Sequence, residues 1–279
     1  MANSIYPCLW FDGNAKAAAD FYSSVFEDAN ITVDTPLVVI FELHGKKFMG
    51  LNGGPKFKIN YSVSFFVNCN SPEEVEEKWK LLTEGGSVMM PLNSYPWSPK
   101  YGWCQDKFGV NWQLMTGGTM GDEKIVPSLM FTNEHSGKTE EAINFYTTVF
   151  PNSSVKALNR YEEGEPDIKG YIKHGQFYLQ NQLFTAMGST GPHTASFNEA
   201  ISFVVDCKDQ QEIDYYWKQL TADGGQESMC GWLKDKYGFS WQIIPTIIGK
   251  LMSDPEKAPR VMQAVMQMKK LDIEKMINA

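Results

Sequence analysis

Histidine is scarce in this chain, with four in 279 residues, and no two stand at the helical spacing that presents a pair of imidazoles to one metal ion. Cysteine is little more frequent. Cys8, Cys69, Cys104, Cys207 and Cys230 include no Cys-x-x-Cys pair, and an odd count in so long a chain argues against a disulfide framework, so buried apolar thiols are expected. No apolar run approaches the roughly 20 residues that cross a bilayer as a helix. No basic segment followed by an apolar one opens the chain, so no membrane or secretory leader is expected, and the cytoplasm is the expected compartment. Blocks of one charge are missing as well. A formal net charge of −8, spread over mixed acidic and basic residues, argues against a nucleic-acid footprint and against docking on an anionic membrane surface. The Gly-x-Ser-x-Gly elbow of a hydrolase is absent, and no motif sets a histidine beside a cysteine. A small molecule remains the expected partner, with a homodimer left open.

Against these absences stands enough apolar material, 43% of residues with 13% aromatic, to fill two cores. The chain also aligns with itself. Tyr6-Pro7-Cys8-Leu9-Trp10-Phe11 returns as Val126-Pro127-Ser128-Leu129-Met130-Phe131, and Phe21-Tyr22-Ser23-Ser24-Val25-Phe26 returns as Phe145-Tyr146-Thr147-Thr148-Val149-Phe150. Val63-Ser64-Phe65 recurs as Ile201-Ser202-Phe203, and His44-Gly45 as His174-Gly175. Gly102-Trp103, Asp106-Lys107-Phe108-Gly109 and Trp112-Gln113 recur as Gly231-Trp232, Asp235-Lys236-Tyr237-Gly238 and Trp241-Gln242. Matches in one order and so widely spaced mean duplication of a whole domain, not a solenoid. The glycine-rich stretch 116–122 has a linker's composition. The expected boundaries are a first domain over 1–118, a linker over 119–124, a second domain over 125–248 and a helical extension over 249–279.

Each quarter opens with a strand and then a helix. Ala18, Phe21, Tyr22, Val25 and Phe26 share one helical face by their three-and-four spacing, and Ala142, Phe145, Tyr146, Val149 and Phe150 repeat it. A second helix starts at Ser71-Pro72-Glu73-Glu74, where Ser71 can cap and Glu74 can complete a capping box, and Gly85-Gly86 ends it. Between the helices, apolar runs such as 37–43 and 47–51 flank the turn Leu43-His44-Gly45-Lys46 and predict a β-meander. The whole chain then reads as four β-α-β-β-β units. After Ile248, the spacing of Val261, Met262, Val265 and Met266 predicts a helical tail from about Ser253.

That order, with Pro7-Cys8-Leu9-Trp10-Phe11-Asp12-Gly13, Phe21-Tyr22, the run from Asp106 to Gln113 and the tail Met268-Lys269-Lys270-Leu271-Asp272, resembles the vicinal oxygen chelate superfamily of glyoxalase I, extradiol dioxygenases and bleomycin-resistance proteins. More narrowly it resembles the PhnB-like branch, often labelled 3-demethylubiquinone-9 3-methyltransferase. The resemblance implies an α+β fold of tandem glyoxalase-like domains, each with two units in a curved half-barrel sheet around a ligand, plus the helical tail.

A methyltransferase label would call for a glycine-rich strand-to-helix turn. The nearest glycine cluster, Gly50-Leu51-Asn52-Gly53-Gly54-Pro55, follows a meander strand and reads as a turn. Catalytic members of the resembled superfamily hold a divalent metal with His, Gln or Glu on first and last strands. Here the last-strand positions carry Gln113 and Gln242, and the opening strands carry no histidine, so no tightly held metal is expected. His44 and His174 lie in equivalent turns, and His135 and His193 lie in loops. Cys69 and Cys207, just past equivalent strands, read as structural thiols.

What remains is a ligand pocket. Tyr95, Trp97, Tyr101, Trp103 and Trp112 gather around Gln113 in the sequence, a wall suited to a flat or apolar molecule that a glutamine could orient. Trp112 and Trp241 read as core. The candidate ligand-binding residues are Tyr95, Trp97, Trp103 and Gln113, with Trp232 and Gln242 in the second half; no catalytic residue is assigned. Trp97 lies in an insertion, Asn93-Ser94-Tyr95-Pro96-Trp97-Ser98-Pro99, that the second half lacks, so the two pockets are expected to differ. The rival reading is a metal-assisted isomerase, lyase or dioxygenase drawing on Gln113, Gln242 and a carboxylate such as Glu42.

Overall fold

The computed structural model describes residues 5–118 and 120–279; residues 1–4 of the expected first domain and Thr119 of the expected linker lie outside the described residues. All four β-α-β-β-β units are present. The first comprises β1 (Ile5–Phe11), α1 (Ala15–Val25), β2 (Asn30–Asp34), β3 (Val38–Leu43) and β4 (Lys46–Asn52). The second comprises β5 (Val63–Asn68), α2 (Pro72–Thr83), β6 (Ser87–Tyr95), β7 (Ser98–Gln105) and β8 (Asn111–Met115). The third comprises β9 (Ile125–Phe131), α3 (Thr139–Val149), β10 (Ser154–Arg160), β11 (Ile172–Leu179) and β12 (Gln182–Gly188), and the fourth β13 (Ile201–Cys207), α4 (Gln210–Leu220), β14 (Gln226–Glu227), β15 (Trp232–Lys234) and β16 (Ser240–Pro245).

The chain divides into two compact units, one of residues 5–8 with Ile201–Ala279 and one of Leu9–Ala200. In the larger, an eight-stranded mixed sheet runs in the order β10-β11-β12-β9-β5-β8-β7-β6. It joins the second repeat unit to the third across their opening strands, with Val63 to Val67 antiparallel to Ile125 to Leu129. The repeat alone does not dictate this grouping, because every copy offers the same free edge, that of its opening strand. The same compact unit holds β4-β3-β2 beside the last residues of β1, and the smaller one holds β14-β15-β16-β13 with the first residues of β1 at the edge.

Local sequence rules explain the elements. Ser71 Oγ accepts from the Glu74 N–H at 3.2 Å, while the Glu74 carboxylate closes on the Asn70 N–H at 2.7 Å, one residue earlier than a reciprocal box requires. His44 and Gly45 both have positive φ, 48° and 72°, which makes the two-residue hairpin turn expected between β3 and β4. The core of the larger compact unit lies between α1, α2 and the sheets as a chain of rings: Phe41 on Phe48 at 5.4 Å, Phe48 on Phe65 at 5.2 Å, Phe65 on Trp112 at 5.5 Å and Trp112 on Tyr22 at 5.3 Å. The tail forms three short helices, α5 (Ile248–Met252), α6 (Ala258–Met266) and α7 (Ile273–Ile277), and so starts earlier than expected and is broken twice. It packs on its own compact unit through the buried Val261, Val265, Leu271 and Met276.

Candidate functional site

Strand alternation sorts β8. Trp112 and Leu114 turn toward the helices, while Asn111, Gln113 and Met115 occupy the opposite, inner face. Trp112 is core, as its sequence suggests, and what fixes it is Asp106. One carboxylate oxygen accepts from Trp112 Nε1 at 2.8 Å and the Tyr22 hydroxyl at 2.9 Å, and the other from the Phe108 and Val110 N–H groups at 2.8 and 3.0 Å. Burial raises the Asp106 carboxyl above its ordinary value against the pull of these four donors. Asp235 repeats the turn, accepting from the Tyr237 and Phe239 N–H groups and from Trp241 Nε1. The aspartate of the Asp-Lys-Phe-Gly signature is therefore structural.

On the inner face, Gln113 is buried and both ends of its amide are engaged. Its Oε1 accepts from the Tyr101 hydroxyl at 2.5 Å, and its Nε2 donates to Ser64 Oγ at 2.7 Å. From Tyr101 the aromatics run outward. Tyr95 meets it edge-on at 5.4 Å, and Trp97 stacks on Tyr95 at 5.0 Å with an interplanar angle of 23° while remaining 51% exposed at the tip of the β6–β7 hairpin. Trp103 donates to Asn111 Oδ1 at 3.2 Å. The structure thus brings Tyr95, Trp97, Trp103 and Gln113 together. Sequence reasoning missed the methionines. Met115 and Met120 are buried in the same cluster as Tyr101 and Trp103, with Met90, Met130 and Met187 packed against it, so the wall is deformable. It also missed the serines: Ser64 pairs across the strands with Ser128, whose buried Oγ has no partner among the described residues. The one signal for them was a serine set between apolar residues of an opening strand in both halves.

The smaller compact unit holds the counterparts. Gln242 donates to Ser202 Oγ at 2.9 Å, and Trp232 stands opposite Gln242 in the β15–β16 register. The position of Tyr101 is taken by Cys230, whose φ of 61° places it in a turn instead of a strand. Among the described residues no hydroxyl therefore caps Gln242 as Tyr101 caps Gln113. The long β6–β7 hairpin has no equivalent either, β14 being two residues long, and the tail takes its place: Met268 and Lys269 carbonyls accept from the Cys230 and Gly231 N–H groups at 2.7 Å. Cys8 replaces Ser128, and burial pushes its thiol up to about 12 against hydrogen bonds from Gln242 and Ser202.

These side chains do not suit a divalent ion. Gln113 Oε1 already accepts a hydrogen bond, its neighbours are neutral hydroxyls, and Cys8 stays a thiol. Among the described residues no three His, Cys, Asp or Glu side chains stand together as a metal cluster. Glu42 lies on β3, opposite Lys47 and on a different sheet from Gln113. His174 meets the Phe66 ring edge-on at 6.2 Å, and burial lowers it below its ordinary value, so it is a neutral packing group. The glycine cluster does not cradle a nucleoside either: Asn52 Oδ1 caps the Ala15 N–H at 2.9 Å, and Gly53 lies against the Trp10 ring.

A groove of about 530 Å³ opens elsewhere in the larger compact unit, bordered by Trp10, Phe57, Lys58, Lys107 and Phe108, and none of the six predicted ligand-binding residues lines it. Among the described residues no helix is long and apolar enough to cross a membrane.

Four β-α-β-β-β units, with the strands from β5 to β12 paired into one open mixed sheet, give a glyoxalase-like fold. The fold matches glyoxalase I from Zea mays with a TM-score of 0.59 over 90% of this chain and 95% of that one, at 11% identity. The sequence model described as 3-demethylubiquinone-9 3-methyltransferase matches residues 3–115 and again 123–244, and the chain belongs to that family. A putative 3-demethylubiquinone-9 3-methyltransferase, PhnB protein, from Bacillus cereus is 32% identical over 40% of this chain and 98% of its own, with a TM-score of 0.38. Protein PA1353 from Pseudomonas aeruginosa is 26% identical over 39% of this chain and 93% of its own, with a TM-score of 0.36. No curated protein matches.

Proposed function

We propose that this chain binds a small, flat, mainly apolar molecule on the inner face of the β5–β12 sheet, without a tightly held metal and without methyl transfer. The observation that carries the reading is the ring series from half-exposed Trp97 through Tyr95 and Tyr101 to Gln113. Rings at the mouth supply area and stacking. The methionines beneath can move to admit a guest, and the unpartnered Ser128 hydroxyl offers it a polar anchor.

The test is a titration with 2-naphthol, followed by tryptophan fluorescence and calorimetry on protein whose metal content has been measured after dialysis. Trp97→Ala weakens binding about tenfold, since a stacked ring contributes about 0.5–1.5 kcal/mol beyond the area it covers. Equal affinity in the variant, or a stoichiometric transition metal that survives dialysis, would sink the proposal.

A further inference from the structure

Two signatures that the inner faces leave unused, Trp10-Phe11-Asp12-Gly13 and Asp106-Lys107-Phe108-Gly109, meet at the groove of about 530 Å³. That volume falls within the roughly 300–1,000 Å³ of small-molecule sites. Its walls are rings held in place. Trp10 donates its indole N–H to the Gly54 carbonyl at 2.7 Å and meets Phe57 edge-on at 5.0 Å. The ring lies so close to Gly53 that a Cβ there would stand 2.1 Å from it. Phe108 is fixed against Phe21 at 5.7 Å and Tyr22 at 6.1 Å. The loop carrying Lys58 is tied down by Asn198, whose Nδ2 donates to the Lys58 carbonyl at 3.0 Å.

The charges at the groove are asymmetric. Lys107 Nζ stands 4.2 Å from the Phe21 centroid and 5.6 Å from that of Phe108, and neither Lys107 nor Lys58 has an ion-pair partner among the described residues. Of the two bordering carboxylates, Asp106 is occupied by its four internal donors, which leaves Asp12 to balance the two lysines that border the groove. A preformed aromatic slot with surplus positive charge selects a flat anion.

We propose that this groove is a second binding site, separate from the inner faces, for a planar aromatic carboxylate whose ring lies along Trp10 and Phe108 and whose charge is met by Lys58 and Lys107. The probe is 2-naphthoate, titrated into the full chain by calorimetry at two salt concentrations. The double variant Lys58→Ala/Lys107→Ala weakens it about five- to tenfold, as expected for two exposed charge contacts, and added salt weakens the parent complex in the same direction. Trp97→Ala leaves 2-naphthoate binding unchanged, whereas the lysine variant leaves 2-naphthol binding unchanged, so failure here is distinguishable from failure at the inner face. No binding at millimolar 2-naphthoate, equal binding by the lysine variant with its melting temperature intact, or loss of binding in Trp97→Ala overturns the proposal. Should the double variant unfold, Lys58→Gln and Lys107→Gln made singly give the same readout.

Discussion

Replacing Asp106 by asparagine tests the claim that one buried carboxylate organises the first half of the chain. The amide oxygen still accepts from the Phe108 and Val110 N–H groups, but an NH₂ now faces Trp112 Nε1 and the Tyr22 hydroxyl, 2.8 and 2.9 Å from the original oxygen. Tyrosine can turn its hydroxyl and accept; the indole is a donor only and cannot. One buried N–H is then left without a partner, at a cost of about 1–3 kcal/mol, and the remaining bonds lose their charge assistance. Relief from burying the charge, visible in the raised carboxyl, offsets part of this. The expected net destabilisation is about 2–3 kcal/mol by these contributions. Urea unfolding measures it as a lower midpoint at unchanged slope. Trp112→Phe removes the orphaned donor, so the two substitutions together cost about 1 kcal/mol less than their sum. Asp106→Asn within about 0.5 kcal/mol of the parent, or strict additivity with Trp112→Phe, refutes the reasoning.

Other outcomes are as definite. Trp97→Ala changes stability by less than about 0.5 kcal/mol in the same assay, because the ring is half-exposed and no core depends on it. Gly53→Ala lowers the melting temperature by several degrees, since the added carbon would stand 2.1 Å from the Trp10 ring; calorimetric scans read this out. His174 has its affinity for a proton lowered by burial, so below its ordinary value of 6.5 the unfolded chain takes up a proton that the folded chain resists. Stability present above about pH 6.5 is therefore lost as the pH falls through that range, and His174→Gln flattens this part of the pH profile of urea midpoints.

The repeats made the four-unit architecture readable, because the ring pairs Phe21-Tyr22 and Phe145-Tyr146 and the turns Asp106 to Gly109 and Asp235 to Gly238 each do the same local job in both copies. The capping serine of α2 and the hairpin turn at His44-Gly45 were legible for the same reason: they depend on neighbours in sequence. Sheet membership was not, since any opening strand can pair with any other and only the whole chain decides. In the site, the gathering of Tyr95, Trp97, Trp103 and Gln113 followed from strand order. The hydroxyl that Tyr101 gives to Gln113 did not, nor did its loss at Cys230, because a left-handed backbone at that residue leaves no trace in a single letter. The groove beside Trp10 was hidden because its two walls lie almost 100 positions apart.

The five-residue ladder between β5 and β9 sits at the middle of a continuous sheet, although its strands come from different copies of the ancestral domain. A fragment ending before the join carries β5 with a bare row of main-chain donors and acceptors, and its cheapest remedy is another fragment like itself. Tethering the copies turns that meeting from an event governed by dilution into one governed by the reach of a short loop, where the local concentration is of millimolar order. It also frees the two partners from having to be identical, which is the condition under which a tyrosine on one side can drift to a cysteine on the other.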